Sequence, residues 1–377
     1  MLTYFFQYLN ELGISGAGVF NYITFRAALA GITALLFALI AGKSIIKYLQ
    51  KLQIGESIRD LGLEGQMQKK GTPTMGGVII ILAVLIPTLL FAKLNNIYVI
   101  IMMLSTLWMG IIGGIDDYIK VFKKNKEGMK ATSKLVGQLI LGIIIAATID
   151  YTHSANHLPL ETNLPITKLR LNYSEILPGE GNAWLLFIPV IIFIVMALTN
   201  AVNLTDGIDG LAAGTTAIVG AGLGILAYAS GHNEIASYLN IIYVPNSGEV
   251  VIFLAALIGA CLGFLWYNGF PAQVFMGDTG SMALGGALAA VAIIIKMELL
   301  LPVLCGIFFA ESASVIIQVG YFKYTKKISG EGRRIFLMSP LHHHYQKKGI
   351  PESKITLRFW LITVVLVLAT LALIKLR

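Results

Sequence analysis

The sequence predicts an all-α, polytopic membrane protein of about ten transmembrane helices, with both termini outside and its functional face toward the cytoplasm. Three observations carry that prediction. Hydrophobic residues fill 56% of the 377 positions and charged residues only 13%, about half the ~25% charged share of soluble domains. Mean hydropathy is +0.77, which leaves too little polar surface to cover a soluble fold. The apolar stretches run continuously and do not alternate, which fits membrane-spanning helices and not a barrel. Length alone would allow about two or three soluble domains; composition excludes them. The net charge of +8 is read as loop charge that sets orientation, not as affinity for nucleic acid. Cys261 and Cys305 both lie in apolar stretches, so neither a disulfide framework nor a zinc site is indicated. The opening MLTYFFQYLNELG lacks the basic start of a cleavable signal and is read as an interfacial or extramembrane beginning.

Ten stretches approach the roughly 17–25 residues that a helix needs to cross hydrocarbon. They lie near 24–42, 75–92, 96–115, 135–150, 183–199, 211–229, 250–267, 282–296, 299–322 and 359–375. Helices are required because lipid offers no partner to an unpaired backbone amide. The longest intervening loops hold only some thirty residues, so residues 1–377 read as a single integral membrane domain. Lysine and arginine fix the orientation. The connections after the first, third and ninth stretches carry 21 of the 28 basic residues, and those after the fifth and seventh carry none. By the positive-inside rule the basic side is cytoplasmic.

Parity then groups the polar clusters. Asp116-Asp117 follows the third stretch, Asp206 and Asp209 the fifth, Asp278 the seventh and His342-His343-His344 the ninth. All emerge on the same side, and they include five of the seven aspartates in the chain. That pattern reads as one site assembled from several helix ends.

Asp116-Asp117 closes an apolar run in GIIGGIDDYIK. Adjacent helical side chains point about 100° apart, so the two carboxylates cannot serve one ligand equally. One suits a metal, the other a proton or the surrounding shell. The plainer reading is a polar helix end; two like charges beside a membrane count against it unless a cation is present. NAVNLTDGIDGLAAG supplies Asn200, Asn203, Asp206 and Asp209, with Gly207 and Gly210 permitting a tight turn. Amides, carboxylates and free backbone N–H groups suit a nucleotide, a sugar or hydrated Mg²⁺; the alternative is an ordinary Asp-Gly turn. GFPAQVFMGDTGSMALGG places Asp278 at a glycine-flanked helix start, as a simple N-cap or as a group held over a phosphate. Phe275 nearby is either a base-stacking ring or membrane packing. KKGTPTMGG joins Lys69 to a glycine-rich entry that is not a Walker A loop; its lysines bind phosphate or merely orient the chain. SPLHHHYQ is a metal site or a solvent-facing loop. Glu311, inside the ninth stretch, either lines a cavity or is hydrogen-bonded within the bundle.

A divalent cation, an anionic ligand and basic loops at a membrane surface point to phosphoryl transfer with a lipid partner. Exchanging one pyrophosphate linkage for another is close to isoenergetic, so no separate ATP site is required. Positioning and charge neutralisation would do the chemistry. A secondary transporter is the rival class, but transporters place their ionisable groups near the midplane and within repeated halves. A membrane scaffold gives no reason for clustered aspartates.

GTPTMGG (71–77), GGIDDYIK (113–120), NAVNLTDGIDGL (200–211), FMGDTGS (275–281) and SPLHHH (339–344) together resemble the polyprenyl-phosphate N-acetylhexosamine-1-phosphate transferases. The uninterrupted triple histidine and the GTPTMGG entry are similar to the phospho-N-acetylmuramoyl-pentapeptide branch, and less so to the N-acetylglucosamine-1-phosphate branch. The resemblance implies ten helices in the bacterial inner membrane and a cytoplasmic-facing site. It implies transfer of phospho-N-acetylmuramoyl-pentapeptide from UDP-MurNAc-pentapeptide to undecaprenyl phosphate, with Mg²⁺, giving lipid I and UMP in peptidoglycan synthesis. It leaves a homodimer open. The catalytic residues it implies are Asp116, as base toward the lipid phosphate, Asp117 and Asp278. Asp117 and Asp278 would bind the metal. Lys69, Lys134, Asn200, Asn203, Asp206, Asp209, Phe275, His342 and His343 would bind substrate. Gln346 stands where an acidic residue is expected.

Overall fold

A computed structural model describes residues 1–52, 69, 71–125, 127–155, 159–164, 167, 169–176 and 182–375. Arg59, Lys70 and Lys126, counted above among the basic residues, lie outside the described residues. The chain is helical almost throughout. In order the helices are α1 (Leu2–Glu11), α2 (Ile23–Lys51), α3 (Gly77–Phe91), α4 (Ile97–Val121), α5 (Ala131–Ala155), α6 (Tyr173–Ile176), α7 (Trp184–Thr205) and α8 (Leu211–Ser230). They continue with α9 (Asn233–Leu239), α10 (Gly248–Asn268), α11 (Gly277–Ile294), α12 (Leu301–Leu304), α13 (Gly306–Ser329), α14 (Leu341–Lys347) and α15 (Glu352–Lys375). A two-stranded antiparallel hairpin, β1 (Glu161–Asn163) with β2 (Arg170–Asn172), joins the connection between α5 and α7.

Among the described residues, eight helices are long and apolar enough to cross a bilayer, and α12 with α13 makes a ninth if the bent pair counts as one span. α3, at 15 residues, occupies the second expected stretch but is shorter than the roughly 17–25 residues of a full crossing. The ninth stretch is not one straight helix: it bends by 80° between α12 and α13. Pro302, at the start of α12, cannot donate a helical hydrogen bond, and Gly306 opens α13. Several helices overrun the apolar stretches at their basic ends. α2 continues to Lys51 and α13 to Ser329, carrying lysines that hydropathy assigned to loops. Hydropathy marks the portion in hydrocarbon; the helix continues because lysine is a good helix former and suits a helix C-terminus.

α11 is the hub. Nearly its whole surface is buried, and it packs on α3, α4 and α7. A second layer places α10 between α2 and α8. Close approach follows from small side chains: a Cβ on Gly113 of α4 would lie 2.0 Å from the Asp278 carbonyl oxygen of α11. The chain start is tied down at the far end of α3. The terminal ammonium donates to the Leu89 carbonyl at 2.7 Å and Thr3 Oγ1 to the Phe91 carbonyl at 2.7 Å, which satisfies carbonyls that a helix end leaves unpaired.

Candidate active site

The hub brings the last turn of α4 against the first turn of α11. Asp117 caps α11: its Oδ1 accepts from the Asp278 N–H at 3.1 Å, and its Oδ2 from the Thr279 N–H at 2.8 Å and hydroxyl at 2.6 Å. A carboxylate is well placed there, because helix N-termini present unpaired N–H groups and a positive dipole end. Gly277 has φ +72°, and a Cβ on it would lie 2.5 Å from Asp117 Oδ2, so glycine lets the carboxylate close onto the helix.

Asp116 points elsewhere, as the angle between neighbouring helical side chains requires. It is fully buried, and its Oδ1 accepts from the Met129 N–H at 2.6 Å. Its Oδ2 meets Lys120 Nζ at 2.6 Å and Lys134 Nζ at 2.9 Å. Both ammonium groups also reach Asp278 Oδ2, at 3.1 Å and 2.6 Å, while Asn203 Nδ2 donates to Asp278 Oδ1 at 3.0 Å and to Ser281 Oγ at 2.9 Å. Four elements thus converge on Asp278: α4, α5, α7 and α11.

Among the described residues, Asp116, Asp117 and Asp278 are the one group able to hold a metal, with a ligand oxygen from each within 4.8 Å of the others. Three carboxylates face two lysines, which leaves one negative charge. All the donors are oxygens, the set that Mg²⁺ prefers, and neither thiolate nor imidazole is present. The residues fit a hard divalent cation.

A second group adjoins the first through the 274–278 segment. Lys69 Nζ lies 2.7 Å from Asp209 Oδ1 and 2.5 Å from Glu352 Oε1, and 5.9 Å above the Phe275 ring. Asp209 Oδ2 accepts from the Ala272 N–H at 3.0 Å, and the Asp209 N–H donates to Glu352 Oε1 at 2.7 Å. Phe275 is held by main-chain bonds to Pro73 and Gly76 of the glycine-rich entry, each 2.8 Å.

The triple histidine forms α14. His342 is fully buried; its N–H donates to Glu311 Oε1 at 3.2 Å and its Nδ1 lies 3.2 Å from Glu311 Oε2. The intramembrane carboxylate therefore caps the histidine helix. His343 Nδ1 meets Gln346 Oε1 at 2.7 Å. A carbonyl oxygen only accepts, so Nδ1 carries the proton and Nε2 keeps its lone pair. Burial, then the neighbouring His342, pulls the His343 pKa down to about 4. Gln346 Nε2 reaches Glu352 Oε2 at 3.4 Å, which joins His343 to the lysine group.

The structure gathers Asp116, Asp117, Asp278, Lys134 and Asn203 in one cluster and Lys69, Asp209, Phe275 and His343 in the adjoining one. His342 is packed behind His343 and not exposed. Asp206 ends α7 and is partly exposed. Asn200 lies apart from both groups: it exchanges hydrogen bonds with Gln138 of α5 at 2.9 Å and 3.2 Å. Lys120 and Glu352 join these clusters and were not singled out by sequence, and Gln346, named only as standing where an acidic residue is expected, joins them through His343 and Glu352. Lys120 had a readable signal, since it stands four residues after Asp116 on one helix. Glu352 had none, because Lys69 and Asp209, which tie it to the site, lie far away in the chain.

Residues 99–296 match the family model described as glycosyl transferase family 4, and residues 69–81 match phospho-N-acetylmuramoyl-pentapeptide-transferase signature 1. Curated proteins named phospho-N-acetylmuramoyl-pentapeptide-transferase, from Flavobacterium psychrophilum and Parabacteroides distasonis, are each 52% identical, with 100% of both chains covered. One of the same name from Porphyromonas gingivalis is 49% identical over 100% of both chains. Such likeness along the whole length, through the helices that build the aspartate cluster, places this chain in the phospho-N-acetylmuramoyl-pentapeptide-transferase family.

Proposed function

We propose that the protein transfers phospho-N-acetylmuramoyl-pentapeptide from UDP to undecaprenyl phosphate, giving lipid I and UMP. It would do so as one integral unit at the cytoplasmic face of the bacterial inner membrane. Full-length likeness to transferases of that name supports the reaction. The observation that carries the site is the convergence of three carboxylates and two lysines at one bundle end. The basic lysines of α2 and α13 beside that end support its cytoplasmic orientation.

Mg²⁺, held by Asp117 and Asp278, would supply Lewis-acid neutralisation of the diphosphate oxygens. Lys120 and Lys134 are shared between Asp116 and Asp278; they turn onto the substrate phosphates as point cations. Their departure frees Asp116 Oδ2 to take the proton of the lipid phosphate. A lipid phosphate oxygen then bonds to the sugar-bearing phosphorus, and the bond from that phosphorus to UMP breaks. One phosphoanhydride is formed for one lost, so no further energy source enters. Asn203 steadies Asp278 throughout. Phe275 offers a ring face to the uracil, with Lys69 beside it for the nucleotide phosphate. His343 presents an unprotonated Nε2 to a sugar or phosphate hydroxyl.

The test is incubation of the purified protein with UDP-MurNAc-pentapeptide and undecaprenyl phosphate, with and without Mg²⁺, scoring UMP. UMP should form only when the lipid phosphate and the metal are both present. Release without the lipid, or no release at all, contradicts the proposal.

A further inference from the structure

The opposite end of the bundle holds a second charged cavity. α11 carries Asp278 in its first turn, and the helical rise puts its last residue about 24 Å away. Just beyond that end, Lys296 is 1% exposed, and its Nζ has no hydrogen-bond partner among the described residues. It lies 5.2 Å from the Phe187 ring. Its main chain is locked: the carbonyl accepts from the Asn163 N–H at 3.2 Å and side-chain amide at 2.9 Å. Burial pushes the ammonium below its ordinary pKa, with Glu298 and Glu161 opposing.

A buried ammonium whose donors find no acceptor is a costly arrangement. Here it borders a cavity of about 370 Å³, which Arg170, Glu161, His153 and Asn233 also line. Arg170, in β2, is paired only loosely with Glu161, at 3.5 Å, and is 43% exposed. The cavity lining thus holds two cations, Lys296 and Arg170, against one carboxylate, Glu161, together with the amide of Asn233. It is far larger than a bare ion, and Ile241 and Tyr243 give it an apolar wall. It lies where α5, α8 and α11, each long and apolar enough to cross a bilayer, come to their ends.

We propose that this cavity binds the phosphate group of a small amphipathic molecule, with Lys296 as its buried counter-ion and Arg170 as its outer contact. The proposal is independent of the transfer reaction, because the two sites occupy opposite ends of the bundle. Phospholipid headgroups and soluble phosphates share this chemistry.

Both sources are separable by thermal unfolding of the full-length protein in detergent. One arm is titrated with inorganic phosphate, a second with dihexanoyl-phosphatidylglycerol and a third with dihexanoylglycerol, which lacks the phosphate. The wild type should gain Tm with at least one phosphate-bearing probe and not with the glycerol. A response to the lipid alone identifies a headgroup; a response to inorganic phosphate identifies a soluble source. The shift should fall clearly in Lys296→Met and less in Arg170→Gln, down to whatever the site at the other end of the bundle supplies. An equal shift in Lys296→Met, an equal response to dihexanoylglycerol, or no response to either phosphate probe overturns the proposal. If Lys296→Met fails to fold, Arg170→Gln and Asn233→Leu decide, and unchanged shifts in both overturn it. Phosphate held by Lys120 and Lys134 at the other end would be untouched by these variants, so it cannot imitate the expected loss.

Discussion

Two buried charge clusters in this protein look alike in a list of ion pairs and differ in kind. Arg26 of α2 meets Glu249 of α10 in a two-pronged pair at 2.7 Å and 2.8 Å. Its remaining bonds go to the Phe91 carbonyl and, on the glutamate side, to the Lys93 N–H. One charge answers one charge, with side chains 1% and 7% exposed. The aspartate cluster sets three carboxylates against two lysines, and Lys120 remains 35% exposed. The first is closed and neutral, and fastens the helices it joins. The second carries excess charge, opens to solvent and shares each lysine between two carboxylates, so its cations can change partners at little cost. A polar cluster built to act differs from one built to hold by this surplus of charge and by exposure, not by burial alone.

Mutation should separate the two most sharply at Asp278. Asp278→Asn should lower UMP release by about 10²–10³-fold or more while Tm stays near the wild-type value; near-normal turnover would remove Asp278 from the chemistry. Glu249→Gln should do the reverse. Leaving Arg26 buried against a neutral partner costs about 3–5 kcal/mol, read as a lowered midpoint of unfolding, while turnover per folded molecule stays within about twofold. If Glu249→Gln were as stable as wild type, the pair would not be the fastening described here. Asp117→Ala combines both effects, since it loses the α11 cap, worth about 0.5–2 kcal/mol, as well as the site's carboxylate. A variant that lost only activity would show that the cap contributes nothing.

The helices were legible because hydropathy reports directly on burial in lipid, and parity then gathered the aspartates on one side. Turning Asp116 and Asp117 to different partners was legible too, from helix geometry alone. Neither the 80° break before Gly306 nor the pairing of Glu311 with His342 could be read, because each depends on how distant segments pack. Asn200 illustrates a limit of spacing. Its regular spacing before Asp206 suggested a ligand, and the structure pairs it with Gln138 across a helix interface. Sequence spacing tells which face a residue shares, not what lies opposite.

Smaller effects sharpen the comparison further. His343, drawn down to about 4 from its ordinary 6.5, stays neutral in the folded protein between those values while the unfolded chain takes up the proton. Its contribution to stability is therefore fully present above about 6.5 and declines as pH falls toward 4. His343→Gln should flatten that part of the stability profile and leave the shape of the activity profile between pH 7 and 8 unchanged; an inflection near 7 that vanished in the variant would contradict it. Asn200→Ala should cost about 1 kcal/mol and change the KM for either substrate little. A large rise in KM would return Asn200 to the binding site.

The most direct test of the shared cation is Mn²⁺ binding to the purified protein, titrated by electron paramagnetic resonance in the absence of substrate. One bound Mn²⁺ per chain in the wild type, weakened at least tenfold by both Asp117→Asn and Asp278→Asn and unaffected by Glu249→Gln, is the predicted outcome. Wild-type binding retained in both aspartate variants would show that these carboxylates do not surround a common ion.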